Sequence, residues 1–332
     1  MSIISHYIIR TNFTTAFHFM RNHLLISLLL MVHGAFAQAP PAPLALTADT
    51  EFFQLPEGMN FGEVTGIATT SAGHILVFHQ GPHSLLEFNA DGTFVREIGA
   101  GLFSKAHGLQ VDQYDNIWTT DIGSHLVLKF NPAGHILMVL GRRDMPGEWD
   151  DAKELILFDK PADVAFDADD NIYIADGYGN SRVVKLDSYG NLIKTWGKKG
   201  TAEGEFDNPH NVLIDPQGRV LVADRYNKRI QLFDQDGQFL EAWTHLGTPS
   251  GLSLYHDEVL YITDGTAEQV IKTDLTGKEL GRYGAPGRAP GQFRIAHGLC
   301  VADDESVFVT EVLNWRVQRL SQDADTSSQT NE

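Results

Sequence analysis

The chain has 332 residues, of which 42% are hydrophobic and 20% charged, enough to bury a large core and too apolar for a disordered protein. Lys+Arg 25 against Asp+Glu 43 leaves a net charge of −18, a surface that repels phosphate backbones and argues against nucleic acid as a partner. The single cysteine, Cys300, excludes an internal disulfide and any cysteine-built zinc site, so a metal centre would have to use histidines and carboxylates.

In chain order, residues 24–32 form an apolar run preceded by Arg21 and His23 and followed by Ala35-Phe36-Ala37. This pattern predicts a secretory signal peptide over residues 1–37, with Met20 an alternative start, and hence a secreted protein of the periplasm or the extracellular space. The run is short for a bilayer crossing, and no other segment is apolar enough, so no membrane span is expected in the mature chain. Residues 38–45 read as a stiff Pro/Ala linker, and residues 322–332 as an acidic disordered tail. Cys300 falls in the apolar stretch Leu299–Val301 and is expected to be buried and inert.

Between these ends one pattern recurs six times. Asn171–Asp176 is a short strand ending in Asp; after a polar turn come the strands Arg182–Leu186 and Leu192–Trp196, a glycine-rich link, and then Pro209–Asp215. The opening strand of each cycle begins near Thr65, His107, Ala162, His210, Ser250 and His297, positions 42, 55, 48, 40 and 47 residues apart. Four strands per roughly 40–50 residues predict an all-β fold, a six-bladed β-propeller. Blade 6 lacks an outer strand after Leu320, so the segment Asp49–Leu55 is expected to supply it and close the ring, leaving no free edge. A ring closed on itself suits a monomer.

The six opening positions read Thr, His, Ala, His, Ser, His around one mouth of the central channel. Histidines on alternate blades lie about 120° apart by the symmetry of the ring. Three converging imidazoles with small residues between them suit a divalent metal, zinc above all by ligand type, with an open position for substrate. His74, His83, His125, His135, His245 and His256 share no such register and read as turn or surface residues. The turns opening on the same mouth include Gly177-Tyr178-Gly179-Asn180 and Arg225-Tyr226-Asn227-Lys228. Tyr178 beside a dication and an arginine is a candidate general base, and Arg225 a candidate clamp for a substrate carboxylate.

The repeat resembles the NHL repeat, most clearly in Asn208–Asp215, Val222–Arg225 and Arg229–Phe233. The mouth resembles that of the peptidyl-α-hydroxyglycine α-amidating lyases, six-bladed NHL propellers that cleave an N-acyl-α-hydroxyglycine to an amide and glyoxylate. Ala106-His107-Gly108-Leu109, Pro209-His210-Asn211-Val212 and Ala296-His297-Gly298-Leu299 match that family's three zinc histidines. Asp176-Gly-Tyr-Gly-Asn-Ser-Arg182 matches its catalytic-tyrosine segment, and Asp224-Arg-Tyr-Asn-Lys-Arg-Ile-Gln231 a second motif. The resemblance implies a zinc lyase with Tyr178 and Arg225 catalytic, Arg225 also binding substrate, and a small-molecule or peptide-derived substrate.

The departures are specific. The family's Phe-His-Arg-Gly segment is Phe78-His-Gln-Gly81 here, so Gln80 stands at a substrate-binding position without the arginine's charge. Ile295 replaces a methionine two residues before the third histidine. Gly298 replaces an aspartate that helps hold a structural calcium in the family, so calcium loses a ligand. Two other functions stay open on the residues: a non-catalytic propeller binding protein or glycan at its mouth, and a lactonase-like metal hydrolase. The second would need Glu, Asp and Asn side chains converging in the channel.

Overall fold

The computed structural model describes residues 42–148 and 155–322. The signal peptide expected over 1–37 and residues 323–332 of the expected tail lie outside the described residues. Six four-stranded antiparallel sheets follow one another along the chain, so the fold is an all-β six-bladed propeller.

The strands of blade 1, from the axis outward, are Glu63–Thr69, Ile75–Gln80, Leu85–Phe88 and Phe94–Ile98. Blade 2 is Ala106–Val111, Ile117–Asp121, Leu126–Phe130 and Ile136–Gly141; blade 3 is Asp163–Phe166, Ile172–Asp176, Arg182–Leu186 and Leu192–Trp196. Blade 4 runs Pro209–Ile214, Val220–Asp224, Arg229–Phe233 and Phe239–Trp243, and blade 5 Pro249–Tyr255, Val259–Asp264, Gln269–Asp274 and Glu279–Tyr283. Blade 6 takes Ala296–Val301, Val307–Glu311 and Arg316–Gln322 from the end of the chain and its outer strand, Leu46–Asp49, from the beginning.

Burial follows radial position. The second strands of blades 2, 3, 4 and 6 are buried along their whole length, because each is covered on both faces by the neighbouring blades. Outer strands alternate instead, as in the half-exposed Leu192–Trp196. The core is accordingly a series of apolar layers between blades. One joins Trp118 and Val127 of blade 2 to Val164, Ile172 and Val184 of blade 3. The hairpins into the outer strands of blades 3, 4 and 5 turn on Asp187-x-x-Gly190, Asp234-x-x-Gly237 and Asp274-x-x-Gly277. Each aspartate accepts backbone N–H groups two and four residues on, and each glycine has a positive φ that a side chain would resist.

The closing strand pairs antiparallel with Arg316–Gln322, from Leu46 opposite Gln322 to Asp49 opposite Arg319. It lies three residues earlier in the chain than the expected Asp49–Leu55. The aromatic residues of that segment pack rather than pair: Phe52 lies 5.4 Å from Phe308, and Phe53 lies 4.8 Å from Phe88, ring centre to ring centre. Residues 42–45, the described part of the expected linker, run beside the outer strand of blade 5, where the Leu44 N–H donates to the Arg282 carbonyl.

Candidate metal centre

The inner strands are not regular where the site lies. Pairing with the second strand slips between Val64 and Gly66, Ala106 and Leu109, Pro209 and Asn211, Pro249 and Leu252, and Ala296 and Leu299. Thr65, His107, His210, Ser250 and His297 thus fall in bulges, which release a residue from the ladder and re-aim its side chain. The freed N–H groups find partners. Those of Gly108, Gly251 and Gly298 each donate to a threonine Oγ1 on the second strand, Thr120, Thr263 and Thr310, at 2.8 Å. No feature of the opening strands alone signals these threonines; each precedes the acidic residue that ends its second strand.

The three bulged histidines are buried, with ligand atoms within 4.8 Å of one another. Their orientation is set by the three positions between them. His107 Nδ1 donates to the Ala162 carbonyl at 2.7 Å, His210 Nδ1 to Ser250 at 2.7 Å, and His297 Nδ1 to Thr65 at 2.8 Å. The ring therefore alternates an imidazole with the backbone carbonyl that pins it. With the proton held on Nδ1, each Nε2 is left as an acceptor. Burial lowers all three pKa values, His107 to about 4 and His210 and His297 well below the ordinary value, so the imidazoles are neutral at pH 7. Three neutral, converging nitrogen donors fit a divalent metal ion.

Tyr178 and Arg225 meet this group. The Tyr178 hydroxyl is 3.0 Å from both His107 Nε2 and His210 Nε2, and Arg225 Nη1 is 3.0 Å from His210 Nε2. Burial pushes the Tyr178 phenol up to about 12, with the Arg225 charge pulling against it. That upward direction is opposite to what a base with no metal beside it would need. Asn208, two residues before His210 and absent from the sequence reading of the site, is buried beside Tyr178, and its amide pulls the phenol's pKa down against the effect of burial.

The remaining sequence candidates connect to the site indirectly. Gln80 Nε2 donates to the carbonyl of Ala106, the residue before His107, at 3.1 Å. Ile295 has a φ of 53° and precedes His297 by two residues. His125, read as a turn or surface residue, closes the blade 2 turn in a buried position, and its Nδ1 accepts the Lys160 N–H at 3.1 Å. Cys300 is buried, and its thiol is pushed up by burial alone. A Cβ at Gly298 would lie 2.6 Å from the Thr65 carbonyl, so this backbone does not admit the aspartate through which the resembled family holds calcium. Below the histidines the channel carries a buried carboxyl, Asp163, which accepts from Asn211 Nδ2 at 2.5 Å and is pushed up to about 7 by burial.

Fold, repeats and ring together define the class: the chain is an NHL-repeat β-propeller, and the NHL repeat model matches residues 158–186 and 206–233. Among named relatives, human NHL repeat-containing protein 3 is 38% identical over 146 residues, 43% of this chain and 40% of that protein. A Caenorhabditis elegans protein named as a peptidyl-alpha-hydroxyglycine alpha-amidating lyase is 38% identical over 199 residues, 52% of this chain and 55% of that one. Peptidyl-glycine alpha-amidating monooxygenase B of Xenopus laevis is 29% identical over 294 residues, 76% of this chain and 33% of that protein. The chain thus spans between a third and about half the length of these curated relatives. Of solved structures, a streptogramin B lyase superposes with a TM-score of 0.61 at 14% identity, covering 84% of this chain and 98% of that one, a likeness of fold. Among the described residues no helix is long and apolar enough to cross a membrane.

Proposed function

We propose that the chain is a zinc-dependent carbon–nitrogen lyase that splits an N-acyl-α-hydroxyglycine into an amide and glyoxylate, exported by the leader at residues 1–37. The observation that carries this reading is the placement of the Tyr178 hydroxyl 3.0 Å from two of the three Nε2 atoms, with Arg225 Nη1 3.0 Å from His210. A base, a cation clamp and a metal triad then share one small space. The relatives named as amidating lyase and monooxygenase support it.

His107, His210 and His297 would hold the metal, which when bound supplies Lewis acidity to the substrate hydroxyl. Arg225 binds the substrate carboxylate through its guanidinium, fixing the hydroxyl-bearing carbon against Tyr178. Tyr178 accepts the hydroxyl proton as the C–N bond breaks, and that carbon becomes the aldehyde carbon of glyoxylate. The amide nitrogen takes the proton back, so no oxidant is consumed. In the metal-free site burial holds the phenol protonated; the Arg225 charge pulls its pKa down, and a bound cation would pull it further. Gln80 and Ile295 are assigned to the substrate wall by their positions beside the ring.

The two polar roles separate kinetically. Arg225→Ala is expected to raise KM at least about tenfold, because it removes ground-state binding of the carboxylate. Tyr178→Phe is expected to lower kcat by about 10²–10⁴ with little change in KM. An unchanged KM in the first variant or an unchanged kcat in the second, read by glyoxylate release, contradicts the assigned role.

A further inference from the structure

We infer that Glu268, on the blade 5 turn, is a positioning residue for the metal centre: it fixes the strained entry to the inner strand of blade 6 and thereby the place of His297. This rests on the reading of the histidine triad as a metal site.

The Glu268 carboxylate spans two consecutive backbone donors, Oε1 accepting the Ile295 N–H at 2.7 Å and Oε2 the Ala296 N–H at 2.9 Å. Ile295 is a β-branched residue at φ 53°, a conformation such side chains avoid and that persists only where the surroundings impose it. Two residues later the chain must enter the bulge that aims His297 at the axis. A carboxylate gripping both N–H groups, with charge-assisted bonds on each oxygen, imposes that geometry from the neighbouring blade.

The repeat shows that this is a specialised use of a shared position. His125, Ser181, Lys228, Glu268 and Trp315 close the equivalent turns of blades 2 to 6, and all have φ between 53° and 61°. At blade 2 the equivalent residue, His125, reaches a single N–H, that of Lys160, which is also left-handed and lies two residues before Ala162. Glu268 alone among the five is a carboxylate, and the strand it holds carries a triad histidine. Ser181 and Lys228 offer no comparable pair of acceptors.

The test measures zinc affinity of the full chain by competition with a chromophoric chelator, together with the absorption spectrum of the cobalt(II)-substituted protein. Glu268→Ala is expected to weaken zinc binding about 10–100-fold, the range usual for residues that orient metal ligands, and to shift the cobalt bands. Adding Ile295→Gly to that variant should recover part of the affinity, because glycine adopts the left-handed conformation without help. Glu305→Gln, which disturbs an ion pair with Lys272 away from the histidines, should leave zinc affinity unchanged. Should Glu268→Ala fail to fold, Glu268→Gln, which keeps one acceptor oxygen, is read instead, with an intermediate loss expected. Wild-type affinity in a folded Glu268 variant, or an equal loss in Glu305→Gln, overturns the proposal. These readouts need no substrate, so a wild-type protein that binds zinc but releases no glyoxylate would refute the lyase reading and leave this one standing.

Discussion

Each imidazole of the triad is held by a carbonyl one blade along, and beside His107 and His297 the room for that contact comes from the glycine that follows. A Cβ at Gly108 would lie 2.5 Å from the Ala162 carbonyl and 2.8 Å from Thr120 Oγ1, the two groups that fix His107 and the bulge beneath it. Gly108→Ala is therefore expected to push the carbonyl aside and weaken metal binding about tenfold or more while the propeller still folds. Isothermal titration with zinc checks this, and an unchanged dissociation constant would mean the carbonyl does not set the ring's orientation. The alternation of Thr, His, Ala, His, Ser and His was legible in the sequence, and so was the proximity of Tyr178 and Arg225 to it. The role of the intervening positions was not, because it belongs to their backbone oxygens and not to their side chains. Gln80 illustrates the same limit. By register it lies one residue past the position where the other five blades carry Asp121, Asp176, Asp224, Asp264 and Glu311; blade 1 has His79 there, opposite Val64, and its Nδ1 accepts the Gly62 N–H. Those carboxylates accept N–H groups from the loop entering their own blade, such as Ser104 N–H on Asp121 and Arg294 N–H on Glu311. An amide can donate, and Gln80 uses that to tie blade 1 to Ala106.

Among the elements, the closing strand carries the largest consequence for its size. Leu46–Asp49 supplies four residue pairs to blade 6, and Leu46 joins the apolar layer that includes Val307, Val309 and Leu320. The need for such a strand followed from counting: the sixth repeat shows only three strand patterns, where a blade needs four. Its position was misjudged because Phe52, Phe53 and Leu55 look like strand residues by composition, yet they fill an apolar layer with Phe88 and Phe308. Aromatic content alone does not distinguish pairing from packing. A chain beginning at residue 51 would keep those aromatics and lose the pairing together with the burial of Leu46. It is expected to melt about 10 °C lower, given the few degrees that each kcal/mol represents in a domain of this size, and to aggregate through the bared edge of Arg316–Gln322. Calorimetry and light scattering check both effects. A truncated chain as stable and monomeric as the full one would show that the ring does not depend on this closure.

For the whole molecule, six repeats around one axis do what a single blade does not: they bring residues more than a hundred positions apart to one point. His107 and His297 are 190 residues apart in the chain, yet their rings lie 4.8 Å apart, and Tyr178 from a third blade touches His107. That convergence was legible because a repeat position is also a place in space. The carbonyl pins and Glu268 were not legible, since each depends on contacts between blades that the repeat pattern does not encode. We propose that the ring of histidines makes this propeller a metal-dependent lyase. The most direct test is glyoxylate release from an N-acyl-α-hydroxyglycine by the purified protein, measured metal-free, with zinc restored, and for His210→Ala under the same conditions. Turnover is expected only in the zinc-restored wild type, with one amide formed per glyoxylate. Turnover that survives chelation or the loss of His210, or its absence in folded, zinc-loaded protein, would contradict it.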